Sequence, residues 1–471
     1  MKRIIVTIVG SLLLFSNLQA QNQGWQNLDP AKDSIDGIST EKAYDLLKGK
    51  RSTHVLVAVI DGGVDTAQED LRGVIWNNPN AKKDKGKNEY TNDRHGWNFI
   101  GGKKGDVQYD NLEITRIYRN QRNFYDSLSD GIVPEKYRAD YHNYRVARYE
   151  YYKKLQIAED QIAAIDGMPA SGQETKKYLE AYDYYKEQLN YQLNINYDPR
   201  PIVGDDYNNT NERYYGNNDV TGPDARHGTH VAGIIAAVRD NGIGINGIAD
   251  NVSIICVRVV PDGDERDKDV ANGIRYAVEN GAKVINMSFG KHNSSNKSLV
   301  DDAVKFAMSK DVLIIHAAGN DQRDLDFYRQ VYKEDNFPNC RYVDGKGEAE
   351  AWIEVGASNE KGTRPTFSNY GKQSVDVFAP GVDIYSSTPG SHYEFMDGTS
   401  MAAPVVTGIA ALIREYYPNL TAVEVKDIIM KSVIKKDDKR FGLTNVCVSG
   451  GIVNAYEALK LAANYKGKKI F

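Results

Sequence analysis

Apolar residues fall into short runs separated by polar, glycine-rich turns. The run Val55-Leu56-Val57-Ala58-Val59-Ile60 is continuous and rich in β-branched residues, the pattern of a strand covered on both faces. Comparable runs predict strands over 96–100, 252–260, 283–288, 312–317, 352–357 and 375–378. Spacing of three to four residues predicts helices between them, over 270–280 and 299–309. A shorter helix over 39–47 has Ser39 as N-cap, Glu41 in its first turn and Gly49 as its stop. Strands alternating with helices predict an α/β domain, a doubly wound and mostly parallel sheet with helices on both faces.

The character changes over 105–199, which is polar and holds about half of the 31 tyrosines. Tyr137, Tyr141, Tyr144, Ala147, Tyr151, Leu155, Ala158, Ile162 and Ile165 follow helical spacing. Tyr178, Tyr182, Tyr185, Leu189 and Leu193 repeat it after the break Gly167-Met168-Pro169-Ala170-Ser171-Gly172. Two amphipathic helices joined by such a turn make an inserted helical hairpin, its tyrosine stripe a packing surface or an exposed binding face.

With 471 residues and 41% hydrophobic composition the chain has ample material for a core. Its net charge of −5 argues against a nucleic-acid binder of the basic-patch type. Residues 1–20 read as a signal peptide: Lys2 and Arg3, an apolar stretch to Phe15, then Leu18-Gln19-Ala20. That stretch is too short for a membrane span, so the expectation is export to the periplasm or the exterior, with no span remaining after signal removal. Three cysteines, Cys256, Cys340 and Cys447, are too few for a disulfide framework.

Four positions offer chemistry. Asp61 ends the first strand, where open α/β sheets place ligands, though a turn aspartate reads the same way; no G-x-G-x-x-G precedes it to mark a ribose-binding acid. His227 begins the apolar helix pattern His227-Gly228-Thr229-His230-Val231-Ala232-Gly233; two histidines three apart also suit zinc, but no third ligand follows at a recognisable spacing. Asn320 follows Gly319 at the end of the 312–317 strand, as a turn residue or an amide donor. Ser400, in Gly398-Thr399-Ser400-Met401-Ala402-Ala403-Pro404, stands in the first turn of a buried helix, as an N-cap or a nucleophile.

Together these stretches, with Val59-Ile60-Asp61-Gly62-Gly63-Val64-Asp65, Asn286-Met287-Ser288-Phe289-Gly290, Ala317-Ala318-Gly319-Asn320, Ser368-Asn369-Tyr370-Gly371 and Gly450-Gly451-Ile452-Val453-Asn454-Ala455, resemble the subtilisin-like serine proteases in residues and order. The resemblance implies an exported endopeptidase of subtilisin-like fold working through an acyl-enzyme, with Ser400 as nucleophile, His227 as base, Asp61 as its orienting acid and Asn320 as oxyanion donor. His230 is expected to pack beneath the site. The α/β-hydrolases are set aside by their different triad order; the alternative is a catalytically inactive binding protein on the same fold.

The resemblance further implies an extended peptide substrate held between Gly263-Asp264-Glu265 and Ser288-Phe289-Gly290, with Ala318 and Gly319 also lining the cleft. Asp262, Asp264, Glu265, Asp267 and Asp269 crowd the first edge, either as a solvated loop or as an edge that selects basic side chains. Calcium is implied at Asp70 and a loop carrying Asn241, Ile243 and Ile245; no organic cofactor is expected. The division expected is a signal peptide (1–20), an N-terminal segment (21–54), a peptidase domain (55–463) containing the insertion (105–199), and a tail (464–471). The segment before Val55 is expected to leave no room for a separate prodomain. The insertion is expected to overhang the cleft, or to bind a partner there.

Overall fold

The computed structural model describes residues 23–81, 90–128, 133–167, 175–332, 348–437 and 442–465. The predicted signal peptide (1–20), the break after Gly167, Cys340 and the end of the tail lie outside them. In chain order the strands are β1 (Val55–Asp61), β2 (Gly96–Asn98), β3 (Val252–Arg258), β4 (Val284–Met287), β5 (Leu313–Ala317), β6 (Trp352–Ser358) and β7 (Val377–Pro380). They continue with the hairpin β8 (Ile384–Thr388) and β9 (His392–Met396), then β10 (Ile434–Lys435) and β11 (Gly451–Ile452). A 9-stranded sheet runs β10-β11-β7-β6-β5-β4-β1-β3-β2. Its pairs are parallel except β10 with β11.

β1 lies between β3 and β4, paired with both. The winding direction reverses there, so the carboxyl end of β1 opens onto the crevice where such sheets bind ligands. Alternation along β1 supplies both layers. Val55, Val57 and Val59 join the apolar core shared with Val231, Ile235, Val405 and Ile409, while Ala58 and Ile60 face Val270, Ile274, Ala303 and Val304. This two-sided burial is why the strand sequence is apolar throughout.

The helices are α1 (Thr40–Leu47), α2 (Glu113–Tyr125), α3 (Arg138–Asp166), α4 (Thr175–Glu187), α5 (Arg226–Ala236), α6 (Asp267–Glu279), α7 (Lys297–Ser309) and α8 (Thr399–Tyr416). Three further helices, Leu325–Tyr332, Ala422–Lys431 and Ala455–Ala462, and short helical turns elsewhere are left unlabelled. α8 is buried almost along its length, from Met401 to Glu415, as a helix apolar on all sides must be. Ser39 precedes α1 as expected but does not cap it: its φ is 59°, and its hydroxyl instead accepts from Asn454 Nδ2 at 2.9 Å.

The expected helical hairpin has a third member. α2 packs against α3, and α3 against α4. Ile114, Tyr118 and Tyr125 of α2 share a small core with Tyr144, Ala147, Tyr151 and Leu193. Ring centroids lie 4.7 Å apart for Tyr118–Tyr151 and 5.1 Å for Tyr125–Tyr144, both stacked. The stripe is therefore chiefly a packing surface, although Tyr149, Tyr152 and Tyr184 stay exposed. Cys256 and Cys447 are buried free thiols.

Candidate active site

Asp61 is the last residue of β1 and is buried. Its Oδ1 accepts from Gly62 N–H at 2.7 Å. His227 is the second residue of α5, and its Nδ1 lies 2.8 Å and 3.0 Å from the two Asp61 oxygens. The approach depends on Gly228, because a β-carbon there would lie 2.1 Å from the Gly63 carbonyl. Facing a carboxylate, Nδ1 carries the proton, which leaves Nε2 as the basic nitrogen. Burial would lower the pKa of this imidazole, but the charge and hydrogen bond of Asp61 outweigh it, and the pKa sits above its ordinary value.

Ser400 is the second residue of α8, after Gly398 at the cap. The helix holds a proline at Pro404. Proline has no N–H to give to the carbonyl four residues back, which is that of Ser400. That carbonyl accepts instead from Ser288 Oγ at 2.9 Å, and Ser400 Oγ donates to the Ser288 carbonyl at 2.9 Å. Ser288 also borders a cavity of about 280 Å³ shared with Asp61, His227 and Phe289. Ser288 thus links the serine to the histidine's wall, although no Ser400–His227 hydrogen bond forms among the described residues. Such bonds are often long without substrate and tighten only in the reacting complex.

Asn320 follows β5 and is fixed by a residue to which the sequence reading gave no role. Thr399 donates to Asn320 Oδ1 through its N–H at 2.9 Å and its Oγ1 at 3.0 Å, and Gly319 N–H donates to Thr399 Oγ1 at 3.0 Å. With the oxygen engaged, the amide turns its N–H₂ the other way. A β-carbon on Gly398 would lie 3.3 Å from Asn320 Nδ2 and 3.5 Å from Ser400 N, so both donors border one small space. Gly398 has φ 151°, a conformation that glycine supplies without strain. Beneath, Thr407 Oγ1 donates to Asn286 Oδ1, and Asn286 Nδ2 to Ser288 Oγ, each at 2.9 Å. Hydroxyls and amides so close to a candidate nucleophile were the available signal for Thr399, Asn286 and Thr407. His230 is fully buried, with Nε2 3.1 Å from the Glu394 carbonyl, and burial pushes its pKa down to about 4.

The two expected substrate edges fare differently. Ser288, Phe289 and Gly290 follow the last ladder pair of β4, Met287 with His316, and Ser288 and Phe289 face the cavity. The edge Gly263-Asp264-Glu265 is largely taken by the insertion. Asp262 N–H donates to the Gln108 carbonyl at 2.7 Å, Asp110 N–H to the Asp262 carbonyl at 3.2 Å, and Asp264 N–H to the Asn111 carbonyl at 3.4 Å. Arg116 donates to the Asp264 carbonyl at 3.0 Å, and Lys291 to that of Glu265 at 2.8 Å. At Asp264 the backbone N–H and carbonyl, and at Glu265 the carbonyl, thus bond within the protein itself, and Gly263 packs against the Asp110 backbone, where a β-carbon would lie 2.2 Å from the Asp110 carbonyl oxygen. Ala318 and Gly319 are held by Asn369, which donates to the Ala318 carbonyl at 2.8 Å and the Gly319 carbonyl at 2.9 Å.

The acidic run is likewise no solvated loop. Asp269 pairs with Arg200 at 2.6 Å, Asp267 with Lys291 at 2.9 Å, and Asp264 accepts from Glu113 N–H at 2.7 Å. From the insertion, buried Asp110 pairs with Arg266 at 2.7 Å, and buried Glu113 with Lys291 at 3.2 Å and with Arg116. Burial alone would raise the Glu113 pKa, but the Arg116 and Lys291 charges hold it well below the carboxylate range.

At the expected calcium position, Asp70 is buried, and its oxygens accept from Asn241 Nδ2 at 2.7 Å and Ile245 N–H at 2.9 Å. Asn241 Oδ1 accepts from Ile243 N–H at 3.0 Å. As placed, these groups form a hydrogen-bonded clasp on the loop, with the Asn241 amide turning its N–H toward Asp70.

The profile of the Subtilase family matches residues 52–450. The thermophilic serine proteinase of Bacillus sp. (strain AK1) is 36% identical over 234 residues, covering 50% of this chain and 52% of that protein. Subtilisin BL of Lederbergia lenta is 35% identical over 235 residues, covering 50% and 77%. The chain thus spans about half the length of the first of these relatives. A solved protease structure from Pseudoalteromonas arctica PAMC 21717 superposes over 93% of this chain and 98% of that one, with a TM-score of 0.52 and 24% identity, a likeness of fold. With the family match running from before β1 to the turn that leads into β11, and so across Asp61, His227, Asn320 and Ser400, the chain belongs to the subtilase family.

Proposed function

We propose that this protein is an exported serine endopeptidase in which Asp61, His227 and Ser400 form the triad and Asn320 the oxyanion donor. His227 Nε2 takes the Ser400 proton as Oγ attacks the peptide carbonyl, and then returns it to the leaving amine. Asp61 holds the ring by its Nδ1–H and stabilises the imidazolium. The Asn320 amide and the Ser400 N–H receive the oxyanion, and water then releases the acyl group. The observation that carries this reading is the 2.8 Å contact of His227 Nδ1 with Asp61, on a cavity whose wall holds Ser400 through Ser288. Labelling by a serine-directed fluorophosphonate tests it: the native protein is expected to react and Ser400→Ala not to. Equal labelling of the two overturns the assignment of the nucleophile.

Export rests on the residue pattern of 1–20; a mature N-terminus at Gln21 tests it. The insertion serves as one wall of the cleft, since Gln108 borders the same cavity as His227. Calcium at Asp70, Asn241, Ile243 and Ile245 is supported by the buried carboxylate beside this loop and requires the Asn241 amide to turn its oxygen inward. A chelator that leaves the melting temperature unchanged overturns it.

A further inference from the structure

The cavity beside His227 has a chemistry of its own. One wall is Asp61 and His227, a second is Ser288 and Phe289, and a third is Gln108 from the insertion, facing Val260 and Pro261. Asp224 and Asp262 also line it. Unlike Asp267 and Asp269, neither makes an ion pair among the described residues. Asp262 Oδ2 receives only a long hydrogen bond from Gln108 Nε2, at 3.4 Å, and Asp224 Oδ1 accepts from Arg226 N–H at 2.8 Å.

The lining also holds Arg258, whose charge acts on both carboxylates but whose hydrogen bonds go to neutral groups instead. Its Nε donates to the Gly62 carbonyl at 2.6 Å, its Nη1 to Asn98 Oδ1 at 3.3 Å, and its Nη2 to the Val107 carbonyl at 2.5 Å. Its hydrogen bonds are thus directed at the strand ends. Partial burial first, and then the neighbouring Asp224 charge, raise the Asp262 pKa above the usual carboxylate value, outweighing the Gln108 hydrogen bond and the Arg258 charge that lower it.

We propose that this cavity is a specificity pocket for a cationic substrate side chain, lysine or arginine, adjacent to the scissile bond, with Asp262 and Asp224 as its counter-charges and Gln108 as its outer wall. The pocket is continuous with the proposed triad, so whatever fills it belongs to the molecule being cleaved. Its volume of about 280 Å³ accommodates one long side chain. A cation there relieves the repulsion between the two carboxylates, whereas an acidic side chain adds to it. The inference rests on the endopeptidase reading.

The test is a set of fluorogenic peptides that carry Lys, Arg, norleucine, Gln or Glu at each position around the cleavage site, compared by kcat/KM on the full-length protein. One position is expected to favour Lys or Arg over norleucine by about tenfold, with Glu poorest. Asp262→Asn is expected to bring the Lys-to-norleucine ratio toward one, and Asp262→Lys to move the preference at that position toward Glu. Cleavage with no position favouring a cation, or a preference that survives in Asp262→Asn combined with Asp224→Asn, overturns the pocket while leaving the protease reading intact. Absence of both cleavage and fluorophosphonate labelling overturns the protease reading, and the pocket with it.

Discussion

Ser288 and Ser400 are joined reciprocally, each hydroxyl donating to the other's backbone carbonyl at 2.9 Å. The bond to the Ser400 carbonyl exists because Pro404 leaves that oxygen without its helical partner. Replacing Ser288 by alanine leaves two groups unsatisfied at once, the Ser400 carbonyl and the Asn286 amide. Ser288→Ala is expected to lose about 1–3 kcal/mol in urea unfolding. An unchanged unfolding midpoint would show that the pair carries no weight.

Asn320 reaches the shared space beside Gly398 with its oxygen already occupied by Thr399. Asn320→Ala is expected to lower kcat by about 10²–10³ with a much smaller change in KM, because the donor acts on charge that develops in the transition state. A loss confined to KM would instead mark Asn320 as a ground-state contact.

The pH profile follows from the His227–Asp61 pair. The base must be neutral to accept a proton, and its pKa is raised from 6.5. The acid limb of kcat/KM is therefore expected to have its midpoint above 6.5, activity rising as pH climbs through it. Asp61→Asn removes the charge that raises this value; the midpoint is expected to fall and kcat to drop by about 10⁴.

The joint between the insertion and the cleft is made of buried charges. Lys291→Met leaves the buried Asp267 carboxylate without its cation and Glu113 with Arg116 alone, and the loss of stability is expected to be about 3–5 kcal/mol, read from chemical denaturation. A loss below about 1 kcal/mol would mean that the joint is no stronger than a surface pair.

Glu415 is fully buried in α8, and burial followed by the nearby Asp250 pushes its pKa up to about 9. A carboxyl raised in the folded state contributes its full stability below its ordinary value of 4.5 and loses it as pH rises toward 9. Melting temperatures are therefore expected to decline as pH rises from about 4.5 to about 9, and Glu415→Gln to flatten the decline. Parallel slopes for the two proteins would remove Glu415 as the cause.

The sheet was legible because its strands are buried on both faces and their sequences are apolar without interruption. Asp61 and Asn320 stood out because each follows an apolar strand run, and Ser400 because a glycine turn places it ahead of an apolar helix. α2 was missed because Gln121 and Arg122 stand where the helical spacing of Ile114, Ile117 and Tyr118 would place further apolar residues. The fate of the acidic run was hidden for a related reason: its partners Arg116, Arg200 and Lys291 lie far from most of it in sequence, so nothing local distinguishes buried acids from solvated ones. The partner of the Ser39 hydroxyl is Asn454, near the other end of the chain, and no local pattern reports it.

The pairing of Gln108 to Asn111 along Asp262 to Asp264 changes what the helical segment is. A lid can be cut away and leave a working enzyme behind. Here excision would strip Arg266 of Asp110 and Lys291 of Glu113, and would leave the backbone from Asp262 to Asp264 without its partners beside the His227 cavity. The helices and the cleft must therefore fold, and change over evolutionary time, as a single body.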